Sequence, residues 1–132
     1  MKGNNYLFDT HALIFWYQQA DVSPEFLAFF DEQSQQGKLF VSSVSFWEIG
    51  LLAQKGRITI TNVNTWAKEL LALSSIRLAE PSVTEMIDST LLPSHHKDPF
   101  DRLLIAQAKH RDFIFVSRDA LVQAYDVTTY WL

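Results

Sequence analysis

Residues 98–108 read DPFDRLLIAQA, and they mark the start of the helix that we expect to organise the chain. Pro99 keeps the residue before it out of the helical region and itself suits the first helical position, so Asp98 should be the N-cap. The apolar residues that follow cover most of the next two turns, which predicts a largely buried helix. Its N-terminal end then carries two carboxylates, those of Asp98 and Asp101.

This acidic pair has a purely structural explanation. Asp98 can cap the backbone N–H groups of the first turn while Asp101 interacts with the helix dipole, as acids do on many helices without a catalytic role. Considered by themselves, residues 98–108 are better explained in this way. A functional interpretation depends on acids elsewhere in the chain.

The composition bounds the class of protein. The chain has 132 residues, 48% of them hydrophobic, which predicts a single domain over residues 1–132 with a substantial core. It has no cysteine, so disulfides, thiolate zinc sites and cysteine nucleophiles are excluded, and any metal must be held by carboxylates or imidazoles. Such ligands favour hard cations such as Mg²⁺ or Mn²⁺.

The charge and the N-terminal residues bound its surroundings. The net charge is −4, so any nucleic-acid binding must depend on a local site and not on the overall field. The first residues resemble neither a signal peptide nor a membrane span. We therefore expect a cytoplasmic protein with no membrane contact.

Two short apolar runs are followed by acids. Residues 6–8, YLF, lack polar alternation, as strands covered on both faces do, and Asp9 follows them directly. Residues 113–116, FIFV, form the second run and are followed by Ser117 and Asp119. Ligands of open α/β sheets collect at the carboxyl ends of strands, where these acids fall, although each acid is also explained as a helix N-cap.

A third acid, Glu48, stands inside a helix predicted to follow residues 42–45 and to end at residues 55–56. Its neighbours are apolar nearly all round, which predicts that this helix is buried. A buried carboxylate without a partner costs several kcal/mol, so Glu48 needs a cation, a hydrogen-bond network or a proton. A salt bridge to Arg57 or Arg77 is the structural alternative.

The remaining segments complete a predicted α/β layer structure. Helices are predicted from Ser23 to Gly37, over residues 64–71 and from a capping box at residues 82–85, and strands over residues 39–41, 76–78 and 127–131. Two adjacent histidines, His95 and His96, precede Asp98 in a loop. They lack the spacing of a metal motif and are at least as well explained as exposed residues near phosphate.

Asp9, Glu48, Asp101 and Asp119 lie on four separate segments. If folding brings them together, they repel one another and raise one another's pKa unless a divalent cation occupies the cleft. A carboxylate cage suits Mg²⁺ or Mn²⁺, which would lower the pKa of a water molecule, orient it for in-line attack on phosphorus and neutralise the phosphate.

Basic residues and histidines are concentrated between residues 95 and 118, which fits a polyanionic substrate. Arg102 and Arg118 each adjoin a proposed ligand. Both are suited to grip flanking phosphates, and both are equally explained as part of a solvated helix face.

Four segments carry a family resemblance: FDTH at residues 8–11, SFWEI at 45–49, HKDPFDRLLIAQA at 96–108 and VSRD at 116–119. In order and spacing they resemble the PIN-domain ribonucleases, specifically the VapC-type toxins of bacterial toxin–antitoxin pairs. Residues 98–102 are the most specific part of this resemblance, which covers essentially the whole chain.

The resemblance implies a three-layer α/β/α sandwich around a mainly parallel sheet. It implies a metal-dependent endoribonuclease that hydrolyses RNA phosphodiester bonds with Mg²⁺ or Mn²⁺ and an activated water. It also implies a homodimer that is inhibited by a cognate antitoxin protein.

By position, the resemblance also assigns site residues. The family's catalytic and metal-binding acids match Asp9, Glu48, Asp101 and Asp119, while Asp98 matches either an accessory ligand or only a helix cap. Ser117 matches a place that often holds a small hydroxyl residue near the metal water or the substrate. The predicted substrate-binding residues are Thr10, Arg102, Ser117 and Arg118.

Other functions remain as alternatives. A Mg²⁺-binding receiver-like signalling domain would have paired acids after the first strand and a lysine after a late one, where this chain has residues 9–11 and 117–119. An aspartyl phosphatase would have a second aspartate at the position of His11. A catalytically inert PIN-fold protein with a binding or regulatory role is the third alternative.

Overall fold

The structure, a computed structural model, describes residues 4–132 and has a five-stranded parallel sheet at its centre. The strands are β1 (Tyr6–Phe8), β2 (Leu39–Ser42), β3 (Arg77–Ala79), β4 (Ile114–Val116) and β5 (Thr129–Tyr130). The helices are α1 (Thr10–Gln18), α2 (Pro24–Gln35), α3 (Ser43–Gln54), α4 (Val63–Leu73), α5 (Val83–Leu91) and α6 (Pro99–Arg111), and a 3₁₀ helix spans Ala120–Ala124. The strand order is β3-β2-β1-β4-β5, so β1 is central.

Helices cover both faces of the sheet. Alternate residues of β1 point to opposite faces, so they contact different helices. Tyr6 and Phe8 pack with buried side chains of α1 and α2, such as Phe26 and Phe30. On the other face, Leu7 packs with buried residues of α6, including Leu104. The predicted α/β fold with three α/β/α layers around a parallel sheet is therefore confirmed.

The register of the sheet brings strand ends together. Phe8 of β1 is paired with Val41 of β2 on one side and with Val116 of β4 on the other. Because all these strands run in the same direction, the residues that follow them emerge at one edge of the sheet. Asp9 and Ser117 both begin segments at this edge.

The predicted start of α6 is confirmed. Pro99 is its first residue, and the Asp98 side chain accepts a hydrogen bond from the Phe100 backbone N–H (2.9 Å). Its middle is buried, and it ends at Asp112, a C-cap with φ of 56° in the left-handed region. The capping box that opens α5 at Ser82 and Glu85 is also present.

One expectation about helices requires correction. The helix around Glu48, α3, is not buried all round, because Trp47 is 63% exposed; its ring meets that of Phe100 edge-on, with ring centroids 5.1 Å apart. Glu48 and Ile49 nevertheless lie on its buried side. The alternative that Asp119 is a helix N-cap is confirmed, and the helix that it caps is a 3₁₀ helix.

No helix within residues 4–132 combines the length and the apolar character that a bilayer span requires.

Candidate metal centre

The first acid of the site, Asp9, is placed by the end of β1. Its backbone N–H donates to the Val116 carbonyl oxygen (3.1 Å), and its carboxylate caps α1 by accepting from the Ala12 N–H (2.7 Å). Burial raises the pKa of Asp9, while the Ala12 N–H and the Ser117 hydroxyl act in the opposite direction. Asp9 is therefore a helix cap whose burial disfavours the charged form of its carboxyl group.

Glu48 enters the same site from α3. Its side chain is buried, with the residue only 7% exposed, and its Oε1 atom has no hydrogen-bond partner among residues 4–132. Burial is the main cause that raises the pKa of Glu48, and the charges of Asp98 and Asp9 raise it further. The Thr10 hydroxyl lowers it.

The structural alternative for Glu48 was an ion pair with Arg57 or Arg77, and it is wrong. Within residues 4–132, none of the ion pairs involves Glu48. The Arg77 guanidinium instead lies over the Phe40 ring, 5.0 Å from its centroid. A buried carboxylate oxygen is thus left without a cation or a donor, which is unusual and needs an explanation.

Asp101 lies in the first turn of α6, and the charge of every other acid in the cluster affects its pKa. Burial, followed by the charges of Asp98, Asp9, Glu48 and Asp119 in that order, raises the pKa of Asp101 to about 8. The five predicted carboxyl groups therefore form one electrostatically coupled group. They come from four parts of the chain that the parallel sheet brings to one edge.

His96 lies between two of these acids, although its place in the sequence follows no metal-ligand spacing. Its Nε2 atom lies 3.0 Å from Asp101 Oδ2 and 2.8 Å from Asp119 Oδ2. One ligand atom each from His96, Asp101 and Asp119 lie within 4.8 Å of one another, as the ligands of one cation do. The expectation that the loop histidines are exposed holds for His95 but is wrong for His96, which is 8% exposed.

The predicted substrate-binding residues are placed differently from one another. Thr10 and Ser117 are buried; the Thr10 hydroxyl donates to Ser45 Oγ (3.0 Å), and Ser117 Oγ accepts from the Asp119 N–H (3.2 Å). Both hydroxyl groups therefore lie beside the carboxyl groups of the site, where they lower the pKa of Glu48 and of Asp9, respectively. Arg118 is exposed, and its guanidinium lies over the Phe15 ring, 4.8 Å from the centroid.

Arg102 has a different task from the one predicted. Its Nη1 donates to the carbonyl oxygens of Pro93 (3.0 Å) and His96 (3.1 Å), and its Nη2 to those of Leu92 (2.9 Å) and Thr90 (3.4 Å). Both terminal nitrogens therefore donate to carbonyl oxygens at the end of α5 and in the loop that carries His96. They are not available for the predicted phosphate contacts. Arg102 anchors this loop.

A cavity of about 430 Å³ adjoins the acids on the side of α3. Glu48 and Asp98 line it, together with three basic residues, Lys55, Arg57 and Lys97. From sequence, Lys55 marks only the end of α3 and Arg57 is only a candidate salt-bridge partner of Glu48. Their shared position beside the site depends on the packing of α3 against the start of α6.

The site fits a hard divalent cation. Its donors are carboxylate oxygens with one nearby imidazole, its acids are held close enough to raise one another's pKa, and Glu48 Oε1 is buried without a partner. A cation held by these oxygens would remove the repulsion and satisfy the orphaned atom. The fold and this site together define a parallel α/β domain with a cluster of acidic side chains at the carboxyl ends of its strands.

Comparison with known proteins gives the family. The PIN domain family model matches residues 6–127, so the chain belongs to the PIN domain family. This membership excludes the receiver-like and aspartyl phosphatase alternatives. No curated protein sequence matches the chain.

Solved structures with the same fold include VapBC2, FitAcB and a toxin–antitoxin complex. VapBC2 from Rickettsia felis, bound to a DNA fragment from its promoter, is 12% identical, with a TM-score of 0.70 and coverage of 95% of this chain and 96% of the other. FitAcB from Neisseria gonorrhoeae is 18% identical, with a TM-score of 0.62 and 96% coverage of each chain. A toxin–antitoxin complex from Klebsiella pneumoniae is 16% identical, with a TM-score of 0.62 and coverage of 96% and 97%.

Proposed function

We propose that this chain is a metal-dependent endoribonuclease and the VapC-type toxin of a toxin–antitoxin pair. The observation that carries the proposal is the unpartnered, buried Oε1 atom of Glu48 within a group of coupled carboxyls. A domain that kept these acids only for stability would pair or hydrogen-bond them. Family membership and the likeness to a solved toxin–antitoxin complex from Klebsiella pneumoniae support the same function.

Asp9, Glu48, Asp101 and Asp119 would hold the Mg²⁺ or Mn²⁺ ion, with Asp98 as an accessory ligand or only a cap. When bound, such an ion supplies a water of lowered pKa and a positive charge opposite the scissile phosphate. The chain's own contribution is to hold the oxygens in place from rigid elements: the caps of α1 and α6 fix Asp9 and Asp98, and the 3₁₀ helix fixes Asp119.

The surroundings of the acids support a polyanionic substrate. Lys55, Arg57 and Lys97 line the cavity that Glu48 and Asp98 border, so a phosphate chain crossing it would meet positive charge beside the acidic site. Arg118 provides a further exposed guanidinium next to Asp119. These contacts are to phosphate and give no base preference, so the identity of the RNA must come from other features.

Two protein partners belong to the proposal, an antitoxin and a second copy of the chain. The similar structure from Klebsiella pneumoniae is a toxin–antitoxin complex, which supports the first. A protein partner is further supported by exposed apolar side chains on one side of α5: Val83, Met86, Ile87 and Leu91. Light scattering of the purified chain, alone and with its antitoxin, measures both assemblies.

Cleavage of a total cellular RNA pool by purified, antitoxin-free protein tests the enzymatic proposal. The reactions contain Mg²⁺, Mn²⁺ or chelator, and they compare the native chain with Asp9→Asn and with the exposed control Asp126→Asn. We expect discrete fragments that require metal, disappear with Asp9→Asn and persist with Asp126→Asn. Mapping the fragment ends then identifies the substrate.

Intact RNA in every reaction, followed by intact individual structured RNAs, would reject the nuclease in favour of an inert PIN-fold binding protein. Circular dichroism of each protein and a test for residual antitoxin ensure that the negative result concerns folded, uninhibited chain. Cleavage that persists in chelator would reject the metal-dependent mechanism while leaving nuclease activity in place.

A further inference from the structure

The His96 side chain connects two acids that come from different elements. Asp101 belongs to the first turn of α6, and Asp119 lies after β4, where its Oδ1 accepts from the Leu121 N–H (3.0 Å). The Oδ2 atoms of both acids face the single Nε2 atom of His96, at 3.0 and 2.8 Å. Within the described chain, His96 thus bridges two elements of the acidic site.

The hydrogen bond on the other ring nitrogen decides which atom carries the proton. The backbone N–H of Asp98 donates to His96 Nδ1 (3.1 Å), and a backbone N–H has no lone pair with which to accept. Nδ1 therefore accepts and carries no hydrogen, which places the ring hydrogen on Nε2. The Nε2–H group then donates to the carboxylate of Asp119, with Asp101 Oδ2 3.0 Å from the same nitrogen, and Nε2 has no free lone pair to offer a cation.

The ring is also held rigidly in this position. The His96 backbone N–H donates to the Tyr125 hydroxyl (2.8 Å), which itself donates to the Pro93 carbonyl oxygen (2.6 Å). The His96 carbonyl oxygen accepts from Arg102 Nη1 (3.1 Å). Contacts on the backbone and on both ring nitrogens therefore fix the direction of the Nε2–H bond.

We propose that His96 is a positioning residue that holds Asp101 and Asp119 together for a divalent cation and does not bind the cation itself. This inference rests on the proposed metal-dependent function. Two carboxylates repel one another when both are charged, and an N–H dipole that lies 3.0 and 2.8 Å from their Oδ2 atoms offsets that repulsion. A donor of this kind orients the ligands of a metal from outside its coordination shell.

Binding of Mn²⁺, followed by electron paramagnetic resonance, tests the proposal without relying on nuclease activity. The proteins are the native chain, His96→Ala, His96→Gln and the control His95→Ala, which removes the adjacent, exposed histidine. We expect His96→Ala to weaken Mn²⁺ binding by about 10- to 100-fold, the usual effect of losing a partner of a metal ligand. His96→Gln should recover part of the affinity, because its amide N–H₂ can donate near the position of Nε2, and His95→Ala should leave the affinity unchanged.

The spectrum of bound Mn²⁺ separates a positioning residue from a ligand. We expect no hyperfine coupling to a directly bound ¹⁴N nucleus in the native chain. Such a coupling, or an unchanged Mn²⁺ affinity of folded His96→Ala, would overturn the inference while leaving the metal site intact. If the native chain binds no Mn²⁺, the proposed function fails as well, so the two failures are distinguishable. Circular dichroism and thermal unfolding identify any variant that fails to fold, and His96→Gln then carries the test.

Discussion

The backbone N–H of Asp9 donates to the carbonyl oxygen of Val116, which extends the pairing of β1 and β4 by one residue beyond Phe8. This bond fixes where the chain leaves both strands, so Asp9 and the segment that leads to Asp119 begin side by side. Two acids 110 residues apart in sequence thereby share one edge of the sheet. The electrostatic properties of the site follow from this closeness.

Metal-free protein should lose stability as the pH rises from about 4 to about 8. The folded state raises the pKa of Asp101 from 3.8 to about 8, so between these values the folded chain holds a proton that the unfolded chain has released. Its contribution is fully present below about pH 4 and disappears as the pH rises through 8. Thermal unfolding in chelator across this range measures the effect, and the raised pKa values of Asp9 and Glu48 act in the same direction.

Added Mn²⁺ should reverse this trend, because a cation binds the charged carboxylates and stabilises the folded state by mass action. Stability in chelator that rises steadily from pH 4 to pH 8 would contradict the coupled acidic site. A matched measurement on Asp101→Asn should show a flatter dependence on pH.

Asp101→Asn should abolish RNA cleavage while the fold remains intact. The substitution keeps the shape of the side chain and removes one charge from a group of like charges. We expect cleavage to fall by more than about 100-fold, beyond the usual effect of losing an outer-shell partner of a metal. In chelator at pH 8 the unfolding temperature should equal or exceed that of the native chain. An unfolded variant would instead indicate that Asp101 has a structural role.

The two buried glutamates should respond oppositely to loss of charge. Burial alone would raise the pKa of Glu85, but the hydrogen bonds from Arg111 and from the Ser82 N–H outweigh it and lower the pKa. Arg111 Nε lies 2.9 Å from Glu85 Oε2. Glu85→Gln should therefore destabilise the protein by roughly 2 kcal/mol, a typical cost of breaking a partly buried, hydrogen-bonded ion pair.

Glu48→Gln should leave the metal-free protein as stable as the native chain or more stable, because it removes an unpaired buried charge. It should also reduce Mn²⁺ binding, which Glu85→Gln should not. Chemical denaturation in chelator measures both stabilities. A large loss of stability for Glu48→Gln would show that an interaction of the charged Glu48 side chain supports the fold.

Two arginines near the site should have separate effects. Arg102→Gln removes hydrogen bonds to four backbone carbonyl groups, so it should destabilise the protein by about 1–3 kcal/mol. Arg57→Gln, in the cavity beside Glu48, should instead weaken RNA binding and reduce the slope of its salt dependence by about one. Denaturation and RNA titration, both in an Asp9→Asn background, measure these effects. If Arg102→Gln instead weakened RNA binding and Arg57→Gln destabilised the protein, Arg102 would be the phosphate contact.

Much of the fold could be predicted from local sequence. Pro99 and Asp98 specify the start of α6, and apolar runs of three or four residues identify β1 and β4 because strands covered on both faces lack polar alternation. Acids that directly follow such strands indicate the functional edge of the sheet, since parallel strands end together. The exposure of Trp47 was not predictable, because apolar periodicity does not reveal which faces of a helix find a partner.

The missing parts of the site depend on contacts between distant residues. His96 meets Asp119 and Tyr125, which follow it by 23 and 29 residues, and nothing in the loop sequence signals either contact. The task of Arg102 is equally hidden, because its acceptors are backbone carbonyl oxygens, which every residue type offers. The cavity lined by Lys55, Arg57 and Lys97 forms only when α3 packs beside the start of α6.

An anomalous difference map from crystals grown with Mn²⁺ tests most directly whether these acids form a metal site. We predict a peak bonded to carboxylate oxygens of Asp9, Glu48, Asp101 and Asp119, directly or through water, with direct distances of about 2.1 Å as for Mg²⁺. His96 Nε2 should lie outside the coordination shell. A folded crystal with no peak among these residues, or with Glu48 Oε1 still unpartnered beside a peak elsewhere, would contradict the metal centre.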